Sequence, residues 1–217
     1  MTQAPTERTT VHRHPERGEY DRATIDAILD EALICHVAWV DPDGGARMLP
    51  TIHARVGDTV YLHGSRGARA WKAIRDGVEL CLATTIVDAL VLARSAFNHS
   101  MNYRSVIAYG RAREVTDADE LLVAARAITD HVAPGRGQDA RMPTPDEYRQ
   151  TLLLAMPLTE ASAKVRMGPP KDDDEDLGLP VWAGLLPMVS SAGTPEPSPD
   201  LRGQLEIPPY VRNYRRP

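Results

Sequence analysis

The sequence lacks any apolar run long enough to cross a membrane as a helix, since no window approaches the roughly 18 residues that a span needs. Its first residues are rich in Thr, Glu, Arg and His and contain no apolar signal core, so we expect a soluble, cytoplasmic protein. A net charge of -5 and a pI near 5.8 argue against generic binding to nucleic acid or to an anionic membrane. Any site that binds an anion must therefore depend on a local group of basic residues.

Motifs of the common hydrolase and nucleotide sites are also missing. The chain has no Ser-His-Asp order, no Gly-x-Ser-x-Gly elbow, no Walker loop and no Gly-x-Gly-x-x-Gly stretch, which leaves acyl transfer and nucleoside-triphosphate chemistry without support. Cys35 and Cys81 lie in apolar, strand-like runs without metal-site spacing, and we expect small buried thiols. The His-x-His pair at 12 and 14 is not followed by a set of ligands with the spacing of a known metal site, so no metal site is predicted.

The residues that are present predict one domain over residues 1–217, because a hydrophobic content of 42% is enough for one core. Residues 1–19 carry no periodicity and should form a flexible or draped arm. From about residue 170 to 217 the chain is rich in Pro, Gly and Asp, and we expect an extended tail packed on the barrel or on a partner subunit. The acidic run at 172–176 is expected to be solvated.

The pattern of short segments predicts a mainly β fold with peripheral α-helices. Six or so apolar segments are joined mostly by turn residues, which indicates an antiparallel barrel. Residues 47–56 are predicted as one strand. Residues 78–87 and 90–93 are predicted as two strands, with Asp88 marking the turn between them.

Two polar corners stand at the ends of predicted strands. In the first, His63, Ser65 and Arg69 flank glycines, and a hydroxyl, a guanidinium and close backbone N–H groups are what a phosphate requires. An ordinary loop with surface arginines explains the same residues equally well. Residues 49–51 would run beside this corner, with Pro50 facing a ligand or a free sheet edge.

The second corner is the run Asn102, Tyr103, Arg104 and Ser105, which precedes an apolar strand. A buried arginine here would need a phosphate, a carboxylate or another subunit as partner, and we favour a ligand at an interface over a structural ion pair. Further along the chain, the cations at 164 and 166 share a strand face. Trp182 is expected to anchor the tail or to stack against a flat cofactor.

Seven short motifs, in order over residues 17–188, resemble one family. They are Tyr-Asp-Arg-Ala-Thr at 20–24, Cys-His-Val-Ala at 35–38, Leu-His-Gly-Ser at 62–65, Leu-Val-Leu-Ala-Arg-Ser at 90–95, Asn-Tyr-Arg-Ser-Val at 102–106, Lys-x-Arg-x-Gly-Pro-Pro at 164–170 and Val-Trp-Ala-Gly at 181–184. This pattern is similar to the flavin-nucleotide-binding branch of the pyridoxamine 5′-phosphate oxidase-like, FMN-binding split-barrel proteins, which are related to the nitroimidazole-resistance reductases.

The resemblance implies a split β-barrel homodimer with FMN at the subunit interface, touched by both chains. The implied cofactor-binding residues are Leu49, Pro50, Thr51, His63, Gly64, Ser65, Arg69, Asn102, Tyr103, Arg104, Ser105, Lys164, Arg166 and Trp182. It implies an FMN-dependent oxidoreductase that acts on a small conjugated substrate, with His63, His99 and Arg104 as candidate catalytic residues. The alternative is a flavin carrier, or a relative that holds haem or a deazaflavin.

Overall fold

A computed structural model describes residues 3–215 of the protein. The strands in that range are β1 (Gly18–Glu19), β2 (Cys35–Val40), β3 (Ala46–Thr51), β4 (His53–Val56), β5 (Thr59–Ser65), β6 (Glu79–Leu92), β7 (Ser100–Arg111), β8 (Arg113–Glu114), β9 (Thr151–Pro157), β10 (Glu160–Arg166) and β11 (Gly184–Pro187). The α-helices are α1 (Arg22–Glu31), α2 (Arg69–Arg75), α3 (Ala118–Val132), α4 (Arg136–Asp139), α5 (Pro145–Gln150) and α6 (Pro209–Arg212). None of the helices in residues 3–215 is both long and apolar enough to span a membrane.

The strands form two sheets in which every pair is antiparallel. One sheet has the order β1-β10-β7-β6-β2-β3, with β11 added to β6, and the other has the order β4-β5-β9-β8. The chain crosses from the first sheet to the second at Ile52, between β3 and β4. The prediction of one strand over residues 47–56 was therefore wrong, because a strand that changes sheets must break its ladder.

The predicted turn at Asp88 was also wrong. β6 runs unbroken through this position and pairs with β7 from Glu79↔Arg111 to Val91↔Ser100, with a register shift between Val87 and Ala89. The extra residue makes a bulge, which bends the strand without ending it. Asp is common in turns, but here the pairing on both sides continues and overrides that preference.

The main core lies between the two sheets and α1. Asp21 caps α1 by accepting a hydrogen bond from the Thr24 N–H at 3.1 Å, and the helix buries Ile25, Ile28 and Leu29 at its 3.6-residue spacing. Cys35 is also in this core as a free thiol, as predicted, whereas Cys81 is a free thiol that is only half-buried. On the other face of the second sheet, α3 packs in a smaller core.

The N-terminal segment lies across the outer face of β7 and β10. Arg8 bonds to Glu79 at 2.8 Å and to Glu160, and its guanidinium stacks 4.7 Å above the ring of Tyr109. Further along, the Lys164 Nζ donates to the Arg13 carbonyl at 2.8 Å. These contacts, with the pairing of β1 and β10, hold the arm on the first sheet.

Candidate functional site

The first polar corner forms at the end of β5, where His63 is half-buried. Its Nδ1 is buried and has no hydrogen-bond partner in the described part of the chain. Burial lowers the pKa of His63, because a charged imidazole would lose its hydration there. The imidazole is therefore neutral at pH 7, with one nitrogen still to be satisfied.

Lowering the pH is expected to destabilise the protein through His63. The folded-state pKa lies below the unfolded value of about 6.5, so the unfolded state takes up the proton first and stability falls as the pH drops below about 6.5. In urea unfolding at pH 7.5, 6.5 and 5.5, His63→Gln should show a shallower loss than the wild type. His99→Gln, at an exposed position, should match the wild type; an unchanged slope for His63→Gln would contradict this role.

Gly64 allows close packing beside His63. A Cβ at this position would lie 1.9 Å from Nε1 of Trp71, and Trp71 is a buried member of the main core. The glycine is thus needed because an indole lies against the backbone of β5. This packing attaches α2 to the end of the strand.

Arg69 begins α2 and reaches across to the turn between β2 and β3. Its Nη2 lies 3.4 Å from Oδ2 of Asp41. The same oxygen accepts a hydrogen bond from Arg47 Nε, and Oδ1 of Asp41 accepts one from Trp39 Nε1, both at 2.7 Å. These partners, Arg47 first, hold the pKa of Asp41 below its usual range. The Arg69 side chain is nevertheless 81% exposed, so most of its donors face solvent.

Asp41 and Arg47 were not among the predicted site residues. Asp41 belongs to an Asp-Pro-Asp-Gly-Gly run, which is typical of a turn and gives no sign of an ion pair with α2. The signal that could have found it is the alternation of β2, which puts Trp39 on the buried face where its indole N–H needs an acceptor.

Residues 49–51 lie on β3, the last strand of the first sheet, which pairs only with β2. Pro50 is exposed and Leu49 is half-buried; a free edge tolerates proline, because no ladder hydrogen bond is lost there. His53 pairs with Leu62, so the junction after Thr51 runs alongside the end of β5. The junction after β3 and the start of α2 thus both lie near the end of β5, and we call residues 49–51 and 63–69 the β5 corner.

The second predicted group, residues 102–105 with 164 and 166, also comes together. β10 pairs with β7 so that Lys164 lies opposite Ser105 and Arg166 opposite Tyr103. The Ser105 hydroxyl donates to the Lys164 carbonyl at 3.3 Å, and the Arg166 guanidinium donates to Oδ1 of buried Asn102. We call this group the β10 cluster.

Arg104 differs from the expectation that its charge meets a ligand. Its guanidinium forms an ion pair with Glu31 at the end of α1 and, at 2.7 Å, with Asp88 at the bulge of β6. These carboxylates, Glu31 first, raise the pKa of Arg104. The ion pairs thus give this arginine a structural role, because they join α1, β6 and β7.

Arg104→Ala is expected to lower the free energy of unfolding by about 1–3 kcal/mol, because it leaves two partly buried carboxylates without their cation. Urea unfolding measures the loss. Glu31→Gln should cost less, since Asp88 still pairs with the arginine. A loss for Arg104→Ala no larger than for exposed Arg149→Ala would mean that the ion pair adds nothing to stability.

Two further predicted positions lie away from both groups. Trp182 is 68% exposed, so it does not anchor the tail on its own barrel. His99 is exposed and its Nδ1 donates to the Ser95 carbonyl at 2.8 Å.

The expectation of a solvated acidic run was wrong for Asp172. Its side chain is 2% exposed. It accepts hydrogen bonds from the backbone N–H of Arg94 at 2.7 Å and from the Arg94 guanidinium at 2.8 Å.

Comparison with known proteins gives a consistent picture. A family model described as pyridoxamine 5′-phosphate oxidase matches residues 21–165. The flavocytochrome Anf3 from Azotobacter vinelandii is 36% identical, with a TM-score of 0.90 and 99% of each chain covered. The FAD and haem binding protein from Mycobacterium smegmatis is 34% identical, with a TM-score of 0.85, 90% of this chain and 96% of that chain covered.

A candidate 5-nitroimidazole antibiotic resistance protein from Bacteroides thetaiotaomicron shares the fold at 20% identity and a TM-score of 0.59, with 68% of this chain and 86% of that chain covered. No curated protein sequence matches. The predicted mainly β split barrel with antiparallel strands is confirmed. Because the family model covers most of the chain, this protein belongs to the pyridoxamine 5′-phosphate oxidase family.

Proposed function

We propose that this protein binds a flavin nucleotide and uses it as an oxidoreductase on a small conjugated substrate. The observation that carries the proposal is the β5 corner. There a hydroxyl from Ser65, the exposed guanidinium of Arg69 and the unsatisfied imidazole nitrogen of His63 gather at the end of one strand. Such donors suit a phosphate and a polar ring edge.

The identity of the flavin is part of the proposal. The sequence resemblance implies FMN, whereas the Mycobacterium smegmatis relative is described as binding FAD. Both cofactors share the isoalloxazine ring and the first phosphate. The residues of the β5 corner fit that shared part.

We propose a homodimer, which the positions of the two groups of residues support. The β5 corner borders β3, and the β10 cluster lies beyond β2 and β6 in the same sheet, which favours a cofactor that two subunits share. On the outer face between them, Val40 and Met48 are 61% and 67% exposed, as expected for a surface that a partner covers. Light scattering should give twice the chain mass, and a stable flavin-bound monomer would contradict a shared site.

A bound flavin would supply the electron or hydride transfer. The chain's own residues would hold the phosphate at Ser65 and Arg69 and keep water from the ring edge with Leu49. His63, with its lowered pKa, is neutral at pH 7, so its ring can hold or release a proton near the cofactor. We propose no role in proton transfer for His99, which lies at the turn between β6 and β7.

Stopped-flow kinetics separate an oxidoreductase from a carrier. The reconstituted protein is reduced under anaerobic conditions and mixed with a quinone or a nitroaromatic acceptor. We expect reoxidation faster than that of free FMN at equal concentration. A rate equal to or below that of free FMN would favour the carrier.

Haem is a second candidate ligand, since the relatives at 36% and 34% identity are described as a flavocytochrome and as a FAD and haem binding protein. A cavity of about 770 Å³ lies between the end of α1, β6 and the tail, and its lining combines apolar residues such as Ile34, Val87 and Met188 with charged ones such as Glu31 and Asp88. This volume is within the range of ligand pockets, and a thioether is a known haem ligand. Titration with haemin should give a Soret band whose position shifts in Met188→Leu. The absence of a Soret band in the wild type would exclude haem as a ligand.

A further inference from the structure

Asp41, in the turn after β2, is a buried carboxylate that contacts the exposed arginine of the β5 corner. It is 6% exposed, and it accepts hydrogen bonds from Trp39 Nε1 and Arg47 Nε at 2.7 Å and from Arg69 Nη2 at 3.4 Å. Burying a carboxylate is costly unless donors replace its hydration. These partners therefore hold Asp41 in one place.

The backbone around Asp41 adds to this rigidity. Its N–H donates to the Gly45 carbonyl at 2.9 Å, and its carbonyl accepts from the Gly44 N–H at 2.8 Å. Gly44 has a φ of +82°, which suits a glycine in a tight turn. Trp39 is 7% exposed and belongs to the main core, so its hydrogen bond fixes the carboxylate to the body of the protein.

The pair of Arg69 and Asp41 differs from an ordinary surface ion pair. Arg149 and Asp146 lie three residues apart on α5, and their side chains are 71% and 73% exposed. Arg69 and Asp41 lie 28 residues apart, and their side chains are 81% and 6% exposed. In an exposed pair both side chains must lose freedom to meet. Here one partner is already fixed.

This contact leaves the charge of Arg69 available to a ligand. Arg47 is the main cause that holds the pKa of Asp41 below its usual range, and it lies closer to the carboxylate than Arg69 does, at 2.7 against 3.4 Å. Nε and Nη1 of Arg69 have no hydrogen-bond partner among residues 3–215. Arg69 is thus held at one nitrogen and has two others with which to bind an anion.

We propose that Asp41 is a positioning residue that orients Arg69, so that the free donors of this arginine bind the phosphate of the flavin nucleotide. The inference rests on the proposed function, because it concerns the same β5 corner. A long side chain that is ordered before its ligand arrives loses less conformational entropy on binding. Asp41 does not touch the ligand and acts through Arg69.

Asp41→Asn separates the effect of position from that of charge. The amide keeps an oxygen for the indole of Trp39, but the protein gains one unit of positive charge near the site. Charge alone would tighten FMN binding, whereas the loss of position should weaken it about 3- to 10-fold and leave riboflavin binding unchanged. The control, Asp43→Asn, adds the same charge at a carboxylate that is 60% exposed and should bind FMN at least as tightly as the wild type.

A double-mutant cycle on FMN affinity shows whether Asp41 acts through Arg69. In the Arg69→Gln background, Asp41→Asn should weaken FMN binding by less than about twofold further, because no arginine is left to orient. Equal effects of Asp41→Asn in both backgrounds would overturn the inference. Equal losses of FMN and riboflavin affinity would also overturn it, since a purely structural residue affects both ligands.

Side-chain NMR tests the same point without a ligand and without a change at Asp41. In the wild type, the Nε–H group of Arg69, identified by its loss in Arg69→Gln, should be more ordered on the ps–ns timescale than that of exposed Arg202. Equal mobility of the two groups would contradict the role of Asp41 even if Asp41→Asn does not fold.

The failure of this inference can be told from the failure of the proposed function. A wild type that binds FMN, with additive effects in the cycle, removes only the role of Asp41. A folded wild type that binds no flavin ends the proposed function, and the role of Asp41 toward the phosphate ends with it.

Discussion

Arg69→Gln is expected to weaken FMN binding about 10- to 100-fold and to leave riboflavin binding unchanged. The two ligands differ only in the phosphate, and hydrogen bonds to a charged group contribute roughly 1.5–3 kcal/mol. Folding should be preserved, because the Arg69 side chain is 81% exposed and Asp41 keeps its bonds to Arg47 and Trp39. Titration of the quenching of flavin fluorescence measures both affinities.

Arg75→Gln is the matched control for Arg69. Arg75 lies on the same helix, α2, and pairs with neighbouring Asp76, so the substitution removes an equal charge without touching the β5 corner. It should change FMN affinity less than twofold. If Arg75→Gln and Arg69→Gln weaken FMN equally, the effect is one of net charge and Arg69 does not contact the phosphate.

Gly64→Ala is expected to lower the free energy of unfolding by about 3 kcal/mol, at the upper end of the usual cost of overpacking. The added Cβ would lie 1.9 Å from Nε1 of Trp71, so the buried indole or the strand must move. Either movement displaces α2 and with it Arg69. We therefore expect FMN affinity to fall with stability, as measured by urea unfolding and by titration.

Gly67→Ala is the control in the same corner. Its Cβ would meet only Ser65 Oγ, at 3.8 Å, which is ordinary contact, so stability should change by less than about 0.5 kcal/mol. Combining Gly64→Ala with Trp71→Phe, a smaller ring, should recover part of the loss relative to the sum of the single changes. Strict additivity would show that the clash with Trp71 is not the cause.

Much of the barrel could be predicted because its strands have clear local signals. The alternating burial of β2 and the turn residues after it gave the first hairpin, and the spacing of Ile25, Ile28 and Leu29 gave α1. The break at Ile52 and the bulge at Asp88 could not be predicted in the same way. Both depend on which strands lie alongside, and a local pattern does not contain that information.

The candidate site was predictable as two groups of residues but not as a set of contacts. Short motifs identified the β5 corner and the β10 cluster, and β10 does place Lys164 and Arg166 beside residues 102–105. The partner of Arg104 was missed because Glu31 is 73 residues away in sequence. Likewise, the acidic run gave no sign that Asp172 alone would be buried against Arg94.

The central claim is that this chain holds a flavin nucleotide, and equilibrium binding to the cofactor-free protein tests it most directly. The protein is unfolded, washed free of ligand, refolded and titrated with FMN, FAD and riboflavin in a calorimeter. The account predicts about one flavin nucleotide per chain, with FMN or FAD bound at least tenfold more tightly than riboflavin. A folded protein that binds none of the three would contradict it.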